Sequence, residues 1–114
     1  MITMIPENLE TQAYELFVYP NLSLIDENCK KLGLKNETVK RAKDLATEYI
    51  KKTYHHPRYS HIKFLLPAFV HIASILNDDR RTQREIAEAF GVTSTLIRKW
   101  YLHIVDVMNI EMAT

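Results

Sequence analysis

The feature that most constrains this sequence is a short helical pattern that meets a longer one across a glycine near the carboxyl end. Thr82 and Glu85 have the T-x-x-E spacing of a capping box, in which each side chain binds an amide that the first turn leaves free. Gly91 suits the left-handed conformation that ends a helix. A second pattern runs from Thr93 to about Asn109. The arrangement predicts two consecutive helices joined by a tight turn.

The last of these helices should pack one face on the protein core. Four apolar residues recur one turn apart and form a single stripe: Ile97, Tyr101, Ile104 and Met108. The 3.6-residue period turns a second set away from that stripe: Ser94, Thr95, Arg98 and Leu102. We therefore expect the second set to face a partner.

Two amphipathic segments lie further upstream. Ser23 is suited to cap a short helix, and Gly33 to end it. Asn36 opens a clearer pattern, in which Val39 and Leu45 lie on the apolar face and charged residues on the other. Both segments are predicted to be helices that cover a core.

The remaining segments complete a helical bundle. Residues 62–76 are apolar on nearly every side, as expected of a central buried helix that Pro67 either starts or kinks. Residues 54–61 lack periodicity and are predicted to be a loop. Residues 6–19 predict an additional helix that ends before Pro20. We therefore expect an N-terminal extension over residues 1–20 and one domain over residues 21–110.

Composition favours the same all-α fold. Only two glycines and four prolines occur in 114 residues, too few for the many turns of an all-β domain. The single cysteine, Cys29, excludes an internal disulfide and a zinc site built from paired cysteines, and it favours a reducing, cytoplasmic location. The apolar run is too short for a membrane span, and the amino terminus does not resemble a signal peptide.

Two helices joined in this way form a helix-turn-helix over residues 82–109, which favours binding to double-stranded DNA. The net charge of +1 provides no general attraction, so this prediction depends on local geometry. The first turns of a recognition helix reach base edges. Predicted base contacts are Ser94, Thr95 and Arg98. Predicted phosphate contacts are Arg80, Arg81, Thr82, Gln83, Arg84, Thr93 and Lys99.

The stretch RRTQREIAEAFGVTSTLIRKWY, residues 80–101, resembles the second cyclin-like repeat of transcription initiation factor IIB and its archaeal counterpart. LGL at residues 32–34 and IAS at residues 72–74 fit the same repeat. The resemblance implies a cyclin-like bundle of five helices whose helix-turn-helix reads promoter DNA next to the TATA box. It implies that Arg98 is the base-contacting arginine and that Thr95 occupies the neighbouring contact position.

The resemblance also implies partners and a location. Promoter-like double-stranded DNA would be the main partner, and a TATA-binding protein or another transcription protein a further one. A homodimer also stays open, because helix-turn-helix proteins often bind two half-sites. The N-terminal helix could form that dimer or could cover the surface where a first repeat would dock. The expected location is the cytoplasm of a prokaryotic-type cell, in association with the nucleoid.

Three departures separate the chain from a complete initiation factor. Within these 114 residues, the single cysteine is too few for the family's zinc ribbon, and only one cyclin repeat is expected. The family's run of alanines in the central helix is replaced here by Leu66, Pro67, Ala68 and Phe69. We therefore expect different packing around that helix and no independent support of transcription.

Other candidate sites have simpler interpretations. His55, His56 and His61 could hold a metal, but a surface loop explains them equally well. His71 should be a buried, hydrogen-bonded core residue and Cys29 a packing residue rather than a base and its nucleophile. We therefore expect no cofactor and no enzymatic activity. The alternative to DNA binding is a cyclin-like adaptor that contacts only proteins.

Overall fold

The described residues form a bundle of five helices. A computed structural model describes residues 22–52 and 59–111. The helices are α1 (Leu22–Lys31), α2 (Asn36–Lys52), α3 (Tyr59–Leu76), α4 (Gln83–Phe90) and α5 (Ser94–Met108). No strand occurs within these two ranges, so the predicted all-α class is confirmed. The helix expected at residues 6–19 lies outside the described residues.

Helix α3 lies at the centre and packs against both α2 and α5. Leu66, Phe69 and Ile72 are almost fully buried, which confirms the prediction of a central apolar helix. One detail was wrong, because the helix begins at Tyr59, inside the segment expected to be a loop. Of the two positions expected for Pro67, the structure shows the one inside the helix. Pro67 is itself fully buried, so packing on all sides holds a helix that has one amide donor fewer.

Phe69 of the central helix, which stands where the family's alanines led us to expect a smaller residue, packs against an aromatic neighbour. The Phe69 ring meets the Tyr49 ring of α2 edge to face, with centroids 5.6 Å apart. Such an arrangement places the positive edge of one ring on the negative face of the other. The core therefore accommodates a phenylalanine at a position where the resemblance led us to expect alanine.

The helix ends explain why the connections are short. Four of the five helices are followed by a residue with positive φ: Gly33, Asp78, Gly91 and Asn109. After α3, the Asp79 amide donates to Ser74 O at 2.7 Å and the Asp78 amide to Ile75 O at 3.2 Å. These two bonds close the last turn and reverse the chain at once.

No described helix is long and apolar enough to cross a membrane.

Candidate nucleic-acid interface

The candidate interface begins at the start of α4, where the predicted capping box is confirmed. The Glu85 amide donates to Thr82 Oγ1 at 3.0 Å, and the Thr82 amide donates to Glu85 Oε1 at 2.8 Å. Thr82 has extended backbone dihedral angles, φ −71° and ψ 157°. The chain therefore enters α4 in a defined direction.

A tight turn connects α4 to α5. Gly91 has φ 70°, and the Val92 amide donates to Ala87 O at 3.0 Å. Thr93 then caps α5, since its Oγ1 accepts a hydrogen bond from the Leu96 amide at 3.2 Å. The expected boundaries of both helices, from Thr82 to Asn109, are thus confirmed.

Helix α5 separates a buried face from an exposed one, as its sequence predicts. Ile97 and Ile104 are fully buried, while Tyr101 and Met108 are partly buried against the core. All four residues expected on the opposite face are exposed: Ser94, Thr95, Arg98 and Leu102. The structure therefore brings the three predicted base-contacting residues together on one open surface.

The predicted phosphate contacts divide into six residues near the starts of α4 and α5, and Arg81, whose guanidinium is bound by backbone carbonyls. Arg80, Thr82, Arg84, Thr93 and Lys99 are exposed, and Gln83 is half-buried. The Arg84 guanidinium lies 3.7 Å from Glu88, but both side chains are more than 70% exposed, so this pair holds the arginine weakly. Lys99 Nζ lies 5.4 Å from the centre of the Trp100 ring. These side chains surround the starts of α4 and α5.

Arg81 belongs to a different environment. Its guanidinium donates to the backbone carbonyls of Leu32 at 2.8 Å, Gly33 at 3.1 Å and Arg80 at 3.0 Å. It also bonds to the carbonyl and the carboxylate of Asp79, at 3.1 Å and 3.3 Å. Arg81 therefore fastens the residue before the α4 cap to the turn between α1 and α2.

Asp79 completes this connection, and its role was missed in the sequence. Its Oδ2 accepts from the Lys35 amide at 2.8 Å and from the Thr38 hydroxyl at 2.9 Å. The Lys35 amide bond is the main cause of a lowered pKa for Asp79, helped by the Thr38 hydroxyl and the Arg81 charge against the opposing effect of burial. The only sequence signal was an acid and an arginine two residues apart after a helix end, which also suits solvated residues.

Charge changes sign along the exposed side of α5. Arg98 and Lys99 lie in its first half, whereas Asp106 is exposed in its last turn and Glu111 lies just beyond. Phosphates would be attracted to the first half and repelled by the second. The open end of the helix nearest the turn is therefore the end suited to a polyanion.

The residues considered for catalysis are buried inside the bundle. Burial is the main cause that raises the pKa of Cys29 to about 11, so its thiol stays neutral near pH 7. Burial and the nearby charge of Arg80 lower the pKa of His71. His71 packs edge-on against Tyr101 at 5.1 Å. His71 is buried as expected and bonds to the backbone of Arg81, while its Nδ1 has no partner among the described residues.

The remaining metal hypothesis is not tested. His55 and His56 lie outside the described residues, and the side chain of His61 does too. Within residues 22–52 and 59–111, no group of three or more histidine, cysteine or acidic side chains could hold a metal ion.

Five helices, of which the third is central and buried and the last two form a helix-turn-helix, define a cyclin-like repeat. The model of one family, described as the transcription factor TFIIB repeat, matches residues 21–107. This match includes all five helices except the last residue of α5. The chain therefore belongs to the TFIIB repeat family.

Archaeal proteins dominate among the curated relatives. The chain is 31% identical over 108 residues to transcription initiation factor IIB of Pyrococcus furiosus, a match covering 95% of this chain and 35% of that protein. It is 38% identical over 86 residues to transcription initiation factor IIB of Archaeoglobus fulgidus, covering 74% and 25%. A shorter match to the factor of Methanothrix thermoacetophila is 51% identical over 45 residues, covering 40% and 13%. The chain thus spans about a third or less of the length of these relatives, which are transcription factors and not enzymes.

Proposed function

We propose that this domain binds double-stranded DNA through α4 and α5 and acts in transcription initiation or its regulation. The observation that carries the proposal is the exposed face at the start of α5, where Thr95 and Arg98 are open to solvent. On the opposite face Ile97 is fully buried, so the orientation of the helix is determined by the core. Membership of the TFIIB repeat family supports a role in transcription.

Base recognition would come from the first two turns of α5. An arginine can donate two hydrogen bonds to O6 and N7 of guanine in the major groove, and the exposure of Arg98 near the start of α5 supports that contact. The Thr95 methyl group can contact a thymine methyl, and the Ser94 hydroxyl can bond to several base edges. These three residues would provide sequence preference.

Phosphate contacts would set the register of α5 in the groove. The starts of α4 and α5 offer unpaired amides and the positive ends of the helix dipoles. The side chains assigned to this role are Arg80, Thr82, Gln83, Arg84, Thr93 and Lys99. We leave Arg81 out of this set because its guanidinium already bonds to backbone carbonyls. Its role is to hold the start of α4 in place.

Partners other than DNA stay predictions. A TATA-binding protein is proposed because the relatives are initiation factors. Self-association would involve residues 1–20, which lie outside the described residues. Neither is needed for the contacts proposed for α4 and α5.

The test is a titration of the full chain with a duplex selected from a random pool. We expect affinity to fall steeply with salt, with a slope of about 4 to 6 in log Kd against log salt concentration, because several phosphates are neutralised. Arg98→Ala should reduce the preference for the selected duplex over an unrelated one by about tenfold. Lys40→Ala removes one positive charge from an exposed site on α2 and should leave that preference unchanged.

Two outcomes of the titration would contradict these expectations. If no duplex binds at low salt, the proposal is wrong and the adaptor that contacts only proteins replaces it. If Arg98→Ala and Lys40→Ala weaken binding equally on both duplexes, Arg98 contributes charge alone and is not a base contact.

A further inference from the structure

Leu102 is an unusual residue on the exposed side of α5. Its side chain is 53% exposed, and Leu24 at 37% is the other exposed large apolar residue among those the structure describes. Leu102 follows Arg98 by four residues, so the two lie on the same face one turn apart. An apolar side chain therefore continues the surface that carries the predicted base contacts.

The position of Leu102 along the helix limits what it can reach. A spacing of four residues advances about 6 Å along the helix axis. Successive base pairs are about 3.4 Å apart, so Leu102 addresses a base pair about two steps from the one that Arg98 contacts. One turn beyond it lies the exposed Asp106, whose carboxylate would repel phosphates. Leu102 is thus the last residue of this face before the helix becomes acidic.

We propose that Leu102 contacts the C5-methyl group of a thymine in the major groove and so determines one position of the DNA sequence. The inference rests on the proposed function and extends it. The C5-methyl is the apolar group that the major groove displays, and only thymine carries it. Contact would remove apolar surface of both partners from water, and cytosine or a purine at the same place would leave Leu102 exposed.

A protein partner fits this surface less well. The exposed neighbours of Leu102 on α5 are all polar: Arg98, Lys99, His103 and Asp106. Stable protein interfaces bury about 800 Å² on each partner around an apolar centre, which one leucine does not supply. A groove that pairs a single methyl group with one apolar side chain requires no such patch.

Deoxyuridine provides the test, because it replaces the thymine methyl group by hydrogen and leaves base pairing intact. The probe is the duplex selected from a random pool by the full chain, with each thymine replaced in turn. We expect one replacement, about two base pairs from the guanine read by Arg98, to raise Kd about fourfold, as for the loss of one buried methyl. In Leu102→Ala that replacement should have no effect.

Controls separate this contact from others. Leu24→Ala makes the same chemical change at the other exposed leucine and should keep the full sensitivity to deoxyuridine. Thr95→Ala should remove sensitivity at a different thymine, if Thr95 also contacts one. Circular dichroism should show Leu102→Ala to be folded, since the side chain is half exposed.

Each other outcome overturns the inference. If the wild-type chain binds a selected duplex but deoxyuridine has no effect about two base pairs from the guanine, or if the effect at that position persists in Leu102→Ala, DNA binding stands and the leucine contact is wrong. If Leu102→Ala alters self-association while leaving DNA recognition unchanged, the leucine contacts a protein. If no duplex binds at all, the proposed function fails and this contact fails with it.

Discussion

Two adjacent arginines, Arg80 and Arg81, show what a sequence cannot reveal at the scale of a residue. Both precede the α4 cap and both were assigned to phosphates. Arg80 is exposed, whereas Arg81 reaches the carbonyls of Leu32 and Gly33, almost fifty residues away in the chain. Such acceptors become visible only when the turn between α1 and α2 is placed beside α4. The exposure of Arg98 and Thr95 was predictable, because helical periodicity alone puts them on the side of α5 opposite the core.

The network around Asp79 should contribute strongly to stability. Asp79→Asn removes the charge that Arg81 and the Lys35 amide face, and we expect the free energy of unfolding at pH 7 to fall by about 2 to 3 kcal/mol. The pKa of Asp79 is lowered by folding, so its stabilisation is present above the unfolded value near 3.8 and is lost as pH falls through the folded value. Urea unfolding at pH 7 and at a series of pH values descending well below 3.8 should show the two proteins converging in acid.

Asp44→Asn serves as the matched control for this change. Asp44 pairs with Lys40 at 3.4 Å on the surface of α2, and its side chain is 58% exposed. Its replacement should alter the free energy of unfolding by less than about 0.5 kcal/mol. An Asp79→Asn effect equally small, or one that does not diminish in acid, would show that the carboxylate charge does not stabilise the turn.

At the scale of elements, local chemistry made the helix-turn-helix predictable and the start of α3 unpredictable. Thr82, Glu85 and Gly91 act within one or two turns of sequence, so their pattern identifies the boundaries directly. Tyr59 begins a helix without any comparable signal, and the buried Pro67 argues against a continuous helix by local rules. In α3, tertiary packing outweighs the local preferences of these residues, since residues 65–74 are all buried.

The turn between α4 and α5 should depend on the backbone freedom of Gly91. Its φ of 70° is unfavourable for residues with a Cβ, while a Cβ at this position would have no atom within 4 Å. Gly91→Ala should therefore lower the free energy of unfolding by about 1 kcal/mol through backbone conformation alone. Gly91→Asn should cost less, because asparagine tolerates the left-handed region. Chemical denaturation of the three proteins measures both changes.

A different order of stability would contradict this account of the turn. Equal losses in Gly91→Ala and Gly91→Asn, well above about 1 kcal/mol, would indicate a steric conflict instead of a conformational cost. No loss in either variant would show that the turn relaxes without a left-handed residue.

At the scale of the whole molecule, the near-neutral charge conceals an uneven distribution. The net charge of +1 contains no sign of a nucleic-acid partner. Exposed cations nevertheless lie near the starts of α4 and α5, beside the exposed Glu85 and Glu88, whereas the end of α5 carries only exposed carboxylates, Asp106 and Glu111. The all-α fold followed from few turn residues and clear helical periodicity. The charge distribution depends on which side of each helix the core occupies, and burial of Ile86, Ile97 and Ile104 determines that.

The most direct test of the central claim is a titration of the isotopically labelled chain with the selected duplex, followed by amide chemical shifts. We expect the largest shifts at residues 82–85 and 93–99, with small ones along α2, because the starts of α4 and α5 would meet the groove and its phosphates. Shifts concentrated on α1 or α2, with those two segments unchanged, would contradict the account.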